Sequence, residues 1–142
     1  MCVIEFVSEI SQIKYVINRF ISYVNMQATL EEDKEFELRL VANELLANSI
    51  TYAGKFGDVT VMYEAYPDHV SFCVADKGTG FCAEDKKNVD VCCEEYLFHE
   101  NGRGLFLINQ FAQSFRYNRK GNIALVKLEI PLKRQEDSVA SL

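Results

Sequence analysis

Apolar positions recur with two periods along this chain, and the switches between them mark the elements. Val3 to Val7 reads as a short strand. Ser8 then reads as a helix cap. After it, Ile10, Ile13, Val16, Ile17, Phe20, Ile21 and Val24 recur at three and four residues, which predicts an amphipathic helix with one buried face. Asn25 to Thr29 is a short connection. A second helix is predicted from about Glu31 to Ala53, with Phe36, Leu40, Val41, Leu45 and Ile50 among its apolar positions and Gly54 as its stop.

The period then changes to two. Val59, Val61, Tyr63 and Ala65 form a strand, Pro67-Asp68 a turn, and Val70 to Ala75 the return strand. The acidic, weakly patterned stretch from Phe81 to Asn101 reads as a loop or lid with a short helical piece. A helix follows from Leu105 to Gln113, opened by Gly102-Arg103-Gly104. Ser114 to Arg119 and Ile123 to Pro131 are two further strands around a Lys120-Gly121-Asn122 turn. Hairpin links make the sheet mostly antiparallel, and helices must cover one face of it. The expected fold is an α+β two-layer sandwich.

Bulk composition agrees. The 142 residues suit one domain, 1–142, with a core over about 3–132 and a polar tail over 133–142. Hydrophobic residues make up 49% of the chain, enough for a core, and only 2 Pro and 7 Gly argue against disorder. No internal repeat or linker is visible.

A net charge of −6 suits direct nucleic-acid binding poorly. The nearest basic cluster, Arg116, Arg119 and Lys120, reads as a solvated hairpin turn. Five cysteines (Cys2, Cys73, Cys82, Cys92 and Cys93) form no C-x-x-C pair, and His69 and His99 complete no zinc pattern. A reduced, cytoplasmic setting is expected. Met1 to Phe6 lacks the form of a signal peptide, and no apolar run approaches the ~20 residues that span a bilayer.

Three polar features interrupt the pattern. Glu44 and Asn48 stand at i and i+4 of the second helix and therefore share a face. Alone, such a pair is commonly a surface stripe. It also suits a metal and catalysis site, because an amide oxygen can ligate Mg²⁺ and a carboxylate one turn away can deprotonate a nucleophile. Asp76-Lys77-Gly78-Thr79-Gly80-Phe81 leaves a strand. Its two glycines permit a tight turn, and Asp76 can accept a hydrogen bond from an exocyclic amine such as adenine's. Gly102-Arg103-Gly104-Leu105 stands at a helix start, where free backbone N–H groups and the helix dipole favour an anion and Arg103 adds a charged fork. Each feature is weak alone. In this order they supply the metal, base and phosphate parts of one nucleotide site.

The succession E-x-x-x-N, D-x-G-x-G, G-x-G-L resembles the Bergerat nucleotide fold of the GHKL superfamily. The short chain and the phrases Asn43-Glu-Leu-Leu-Ala-Asn48 and Gly102-Arg-Gly-Leu-Phe-Leu-Ile108 resemble the anti-sigma regulatory serine/threonine kinases. The resemblance covers roughly Val3 to Leu132. It implies a protein kinase that binds ATP with Mg²⁺, blocks a sigma factor and phosphorylates an anti-anti-sigma protein of the STAS class. Under it Glu44 is the general base, Asn48 holds Mg²⁺ and Asp76 reads the adenine amine. Gly78 and Gly80 shape the pocket, Gly102, Arg103, Gly104 and Leu105 form the phosphate segment, and Phe81 to Asn101 is the ATP lid. It also implies homodimerisation through the sheet and N-terminal region.

Two positions depart from that pattern. Tyr52 stands where many members carry His. Gly121-Asn122-Ile123-Ala124 lacks the Thr often found just after that glycine, near the base.

Three other readings stay open on the residues alone. One is a nucleotide-binding module that inhibits its partner without kinase activity. Another is the catalytic domain of a split histidine kinase, for which neither His69 nor His99 is placed as a phospho-acceptor. The third is an α/β interaction domain that binds no nucleotide.

Overall fold

In the computed structural model, residues 1–53, 57–77, 102–118 and 122–130 are described, without the side chains of 52 and 102–105. Among the described residues, five strands and three helices follow in the order β1 (Cys2–Val7), α1 (Gln12–Gln27), α2 (Glu32–Ala53), β2 (Asp58–Ala65), β3 (His69–Asp76), α3 (Gly102–Phe111), β4 (Ser114–Tyr117) and β5 (Ile123–Glu129). The strands form one sheet in the order β1-β2-β3-β5-β4, and every neighbouring pair is antiparallel. This is the expected α+β architecture. The segment expected to be a lid, with Cys82, Cys92, Cys93 and His99, lies outside the described residues. So do Gly54, Gly78, Gly80, Arg119, Lys120, Gly121 and the tail.

Alternation along the strands sends one set of side chains toward the helices. Val59, Val61 and Tyr63 of β2, Val70, Phe72 and Val74 of β3, and Ala124, Val126 and Leu128 of β5 are buried on that side. Val16, Ile17, Phe20, Ile21 and Val24 of α1 meet them, with Leu38, Val41, Ala42, Leu45 and Leu46 of α2 and Ile108 of α3. Phe20 is central. Its ring lies 4.6 Å from that of Phe72 and 5.2 Å from that of Tyr63, in tilted and edge-on geometry favourable to aromatic pairs. On the opposite face, Val3, Glu5, Lys127 and Glu129 are exposed.

Three local expectations are corrected. Ser8 caps no helix. It is buried, and its Oγ donates to the carbonyl of Ile50 at 3.1 Å, tying the end of β1 to α2. The first helix begins at Gln12, after Ser11, which makes no side-chain cap bond. Ile10 is consequently outside that helix and 78% exposed. Phe36, in the first turns of α2, is 63% exposed, because the buried stripe of that helix starts at Leu38. In both cases the three-to-four spacing extends past the ground that the sheet covers.

The link from α2 into β2 makes one demand on sequence. A Cβ on Gly57 would sit 2.6 Å from the carbonyl oxygen of Ala53, closer than atoms tolerate, so the chain passes the helix end only as glycine. The Gly57 carbonyl accepts from the Ser8 backbone N–H at 2.7 Å, which ties the end of β1 to the start of β2.

Candidate functional site

One end of the sheet gathers the polar residues. Register places Val7 opposite Asp58, Val59 opposite Asp76, Ala75 opposite Ile123 and Ala124 opposite Tyr117. Asp76 is the last residue of β3 and continues the inward phase of Val70, Phe72 and Val74. It is therefore aimed at the helical layer and is only 6% exposed. A carboxylate held there is costly unless it is hydrogen-bonded or paired.

The C-terminal half of α2 supplies the second component. Asn48 follows Leu45 by three residues and shares its buried stripe, with 7% of its surface exposed. Its Nδ2 donates to the hydroxyl of Tyr117 on β4 at 3.4 Å. With the amide nitrogen so engaged, Oδ1 is the atom left to act as a ligand. Glu44, one turn earlier, is half-buried. The two therefore lie on one helix face, as their spacing requires.

The third component is the first turn of α3. Gly102, Arg103, Gly104 and Leu105 lie within that helix rather than ahead of it. Its first backbone N–H groups have no partner inside the helix. The helix packs on α2, the element that carries Glu44 and Asn48.

Sequence reasoning missed the residues that fasten the Asp76 end. Tyr117 is one. Asn118 and Asn122 are the others, on either side of the β4–β5 turn. Asn118 Oδ1 accepts from the backbone N–H groups of Asn122 at 2.9 Å and Ile123 at 3.0 Å, and Asn118 Nδ2 donates to Asn122 Oδ1 at 2.8 Å. Asn122 Nδ2 in turn donates to the Asp76 carbonyl at 2.7 Å. The turn was legible from Lys120-Gly121-Asn122, without Asn118. Nothing local pointed to Asp76.

A groove of about 380 Å³ lies elsewhere, along α1 beside β1 and β2, lined by Tyr15, Arg19, Tyr23, Met26, Cys2 and Tyr63 among others. Glu44, Asn48 and Asp76 do not line it. Arg19 donates to the Tyr15 hydroxyl there at 2.9 Å, and Tyr15 and Tyr63 together hold its guanidinium more firmly charged.

The two-layer antiparallel α+β fold is that of ATP-binding modules of the GHKL type, and the buried Asn48, the buried Asp76 at a strand exit and the two glycines in a helix's first turn are compatible with that class. The family model of the histidine kinase-like ATPase domain matches residues 6–128 of the 142, and the chain belongs to that family. A search of curated proteins gives no match. No described helix is long and apolar enough to cross a membrane.

Proposed function

We propose that the chain is an ATP- and Mg²⁺-dependent protein serine/threonine kinase of the anti-sigma type. In this reading it binds a sigma factor and phosphorylates an anti-anti-sigma partner of the STAS class. The observation that carries it is the pairing of Glu44 with a buried Asn48 one turn on, beside a sheet end that holds a buried Asp76.

Each residue then has one task. Asp76 accepts from the adenine amine. Asn48 offers Mg²⁺ a hard amide oxygen, oriented by the bond from its nitrogen to Tyr117. Gly102, Arg103 and Gly104, with Leu105, face the phosphates at a helix start. Among the described residues no three His, Cys, Asp or Glu side chains gather into a metal cluster. Mg²⁺ is commonly held by one or two protein ligands together with substrate phosphates, and Asn48 is the protein ligand in this reading.

Bound Mg-ATP supplies the transferable phosphoryl group and neutralises the charge that develops on it. Glu44 accepts the proton of the partner's hydroxyl as that oxygen bonds to the γ-phosphorus. The bond from that phosphorus to the bridging oxygen breaks, and ADP leaves. Positioning does most of the work, so no side chain of the protein need act as a nucleophile.

The test is transfer of labelled γ-phosphate from ATP to a STAS-domain protein, with the acceptor serine or threonine replaced by alanine as the control. Label on the intact partner alone supports the reading. Label transferred instead to a histidine of a separate phospho-acceptor domain would point to histidine-kinase chemistry.

A further inference from the structure

Asn122 stands in the segment that departs from the resembled family, and it is bound to Asp76 in both directions. The Asp76 backbone N–H donates to the Asn122 carbonyl at 2.9 Å, and Asn122 Nδ2 donates to the Asp76 carbonyl at 2.7 Å. The regular β3–β5 ladder ends one residue earlier, at Ala75 and Ile123. The next rung is thus half backbone and half side chain: a backbone bond runs from Asp76 to Asn122, and the Asn122 side-chain amide supplies the return bond.

Asn122 is itself held on both sides. Its Oδ1 accepts from Asn118 Nδ2 at 2.8 Å, and its backbone N–H donates to Asn118 Oδ1 at 2.9 Å. The Asn118 backbone N–H also donates to the Ile123 carbonyl at 2.9 Å. The chain from Asn118 through Asn122 to Asp76 is a continuous hydrogen-bonded clasp. It fixes the backbone of the last strand residue, immediately before a segment with two glycines, the most permissive residues for backbone conformation. Fixing both backbone polar groups of Asp76 fixes the direction of its Cα–Cβ bond, and so the aim of the carboxylate into the helical layer.

We propose that Asn122, oriented by Asn118, is the positioning residue for the Asp76 carboxylate and thereby sets selectivity for the 6-amino group of adenine. This rests on the reading of Asp76 as the adenine contact. Asn122 touches no substrate in this account. It acts through the strand end.

The experiment is calorimetric titration of Mg-ATP and of the Mg-triphosphate of purine riboside, which lacks the exocyclic amine, into wild type, Asn122→Ala and Asn118→Ala. Wild type is expected to prefer ATP by about tenfold, the worth of one good hydrogen bond. In Asn122→Ala, ATP should weaken by about that factor while the purine riboside nucleotide holds within about twofold, so the preference collapses. Asn118→Ala should lose part of the preference and carries the test if Asn122→Ala does not fold. Equal weakening of both nucleotides would show that Asn122 serves the fold alone, and an undiminished preference in both variants would also overturn the proposal. A wild type that binds both nucleotides equally would remove the role of Asp76 itself, an outcome separate from any change in the variants.

Discussion

The side-chain nitrogen of Asn48 on α2 donates to the hydroxyl of Tyr117 on β4 at 3.4 Å, joining residues 69 apart in sequence. That bond crosses from the helical layer to the edge strand of the sheet. It orients the amide so that its oxygen, rather than its nitrogen, is available to a cation.

Replacing Tyr117 with Phe removes the acceptor and leaves the ring. The net loss for one such bond is about 1 kcal/mol, or roughly 4 °C in Tm for a domain of this size. Mg-ATP affinity should fall more than that of ATP without Mg²⁺. Equal affinities for wild type and Tyr117→Phe in both conditions would show that the Tyr117 bond does not govern the Asn48 amide.

Glu44→Gln keeps the side-chain volume and removes the carboxylate that the proposal makes the general base. General-base catalysis typically contributes about 10²–10⁴-fold. Phosphotransfer to the STAS partner should therefore fall by at least about a hundredfold, with the ATP dissociation constant unchanged within about threefold. A variant that transfers phosphate at the normal rate would assign the base elsewhere.

Ser8 and Ser11 separate two accounts of the N-terminal segment. Ser8→Ala removes the buried bond to the Ile50 carbonyl and is expected to cost about 1 kcal/mol in urea unfolding. Ser11→Ala, at a helix start with no side-chain cap bond, should cost no more than a few tenths of that, about 0.3 kcal/mol. The reverse order would show that local capping at Ser11 stabilises this segment more than the bond from Ser8 to Ile50 does.

Stability should also depend on alkaline pH through Cys73. Burial raises its thiol pKa, so the folded chain keeps that proton to higher pH than the unfolded chain does. The associated stability is full below the ordinary thiol pKa, about 8.5, and is lost as pH rises through it toward the folded value. Tyr63, raised chiefly by burial and next by neighbouring Cys2, adds the same trend at still higher pH. Urea midpoints under reducing conditions from about pH 7 to about pH 9.5 should fall more steeply for wild type than for Cys73→Ala. Parallel curves would refute the assignment.

The strands were legible because period-two alternation survives wherever one sheet face is buried: Val59, Val61 and Tyr63 stand as read, and so do Val70, Phe72 and Val74. The face of α1 from Val16 to Val24 was legible for the same reason at the helical period. The start of α1 was not, since Ser8 answers to Ile50, 42 residues away, rather than to its own helix. Asn48 and Asp76 stood out as polar breaks in apolar patterns. Tyr117, Asn118 and Asn122 did not, because their roles come from contacts across the sheet and with α2. Asn122 and Asp76 lie 46 residues apart and meet only after β5 has inserted beside β3.

The most direct test of the account is calorimetric titration of ATP, with and without Mg²⁺, into wild type and Asp76→Asn. The replacement removes the charge and puts an amide donor where the proposed site turns an acceptor toward the adenine amine. Mg²⁺-dependent binding to wild type, weakened by at least about tenfold in the variant, is the predicted result. Equal binding to both proteins, or none to wild type, would contradict a nucleotide site built around Asp76.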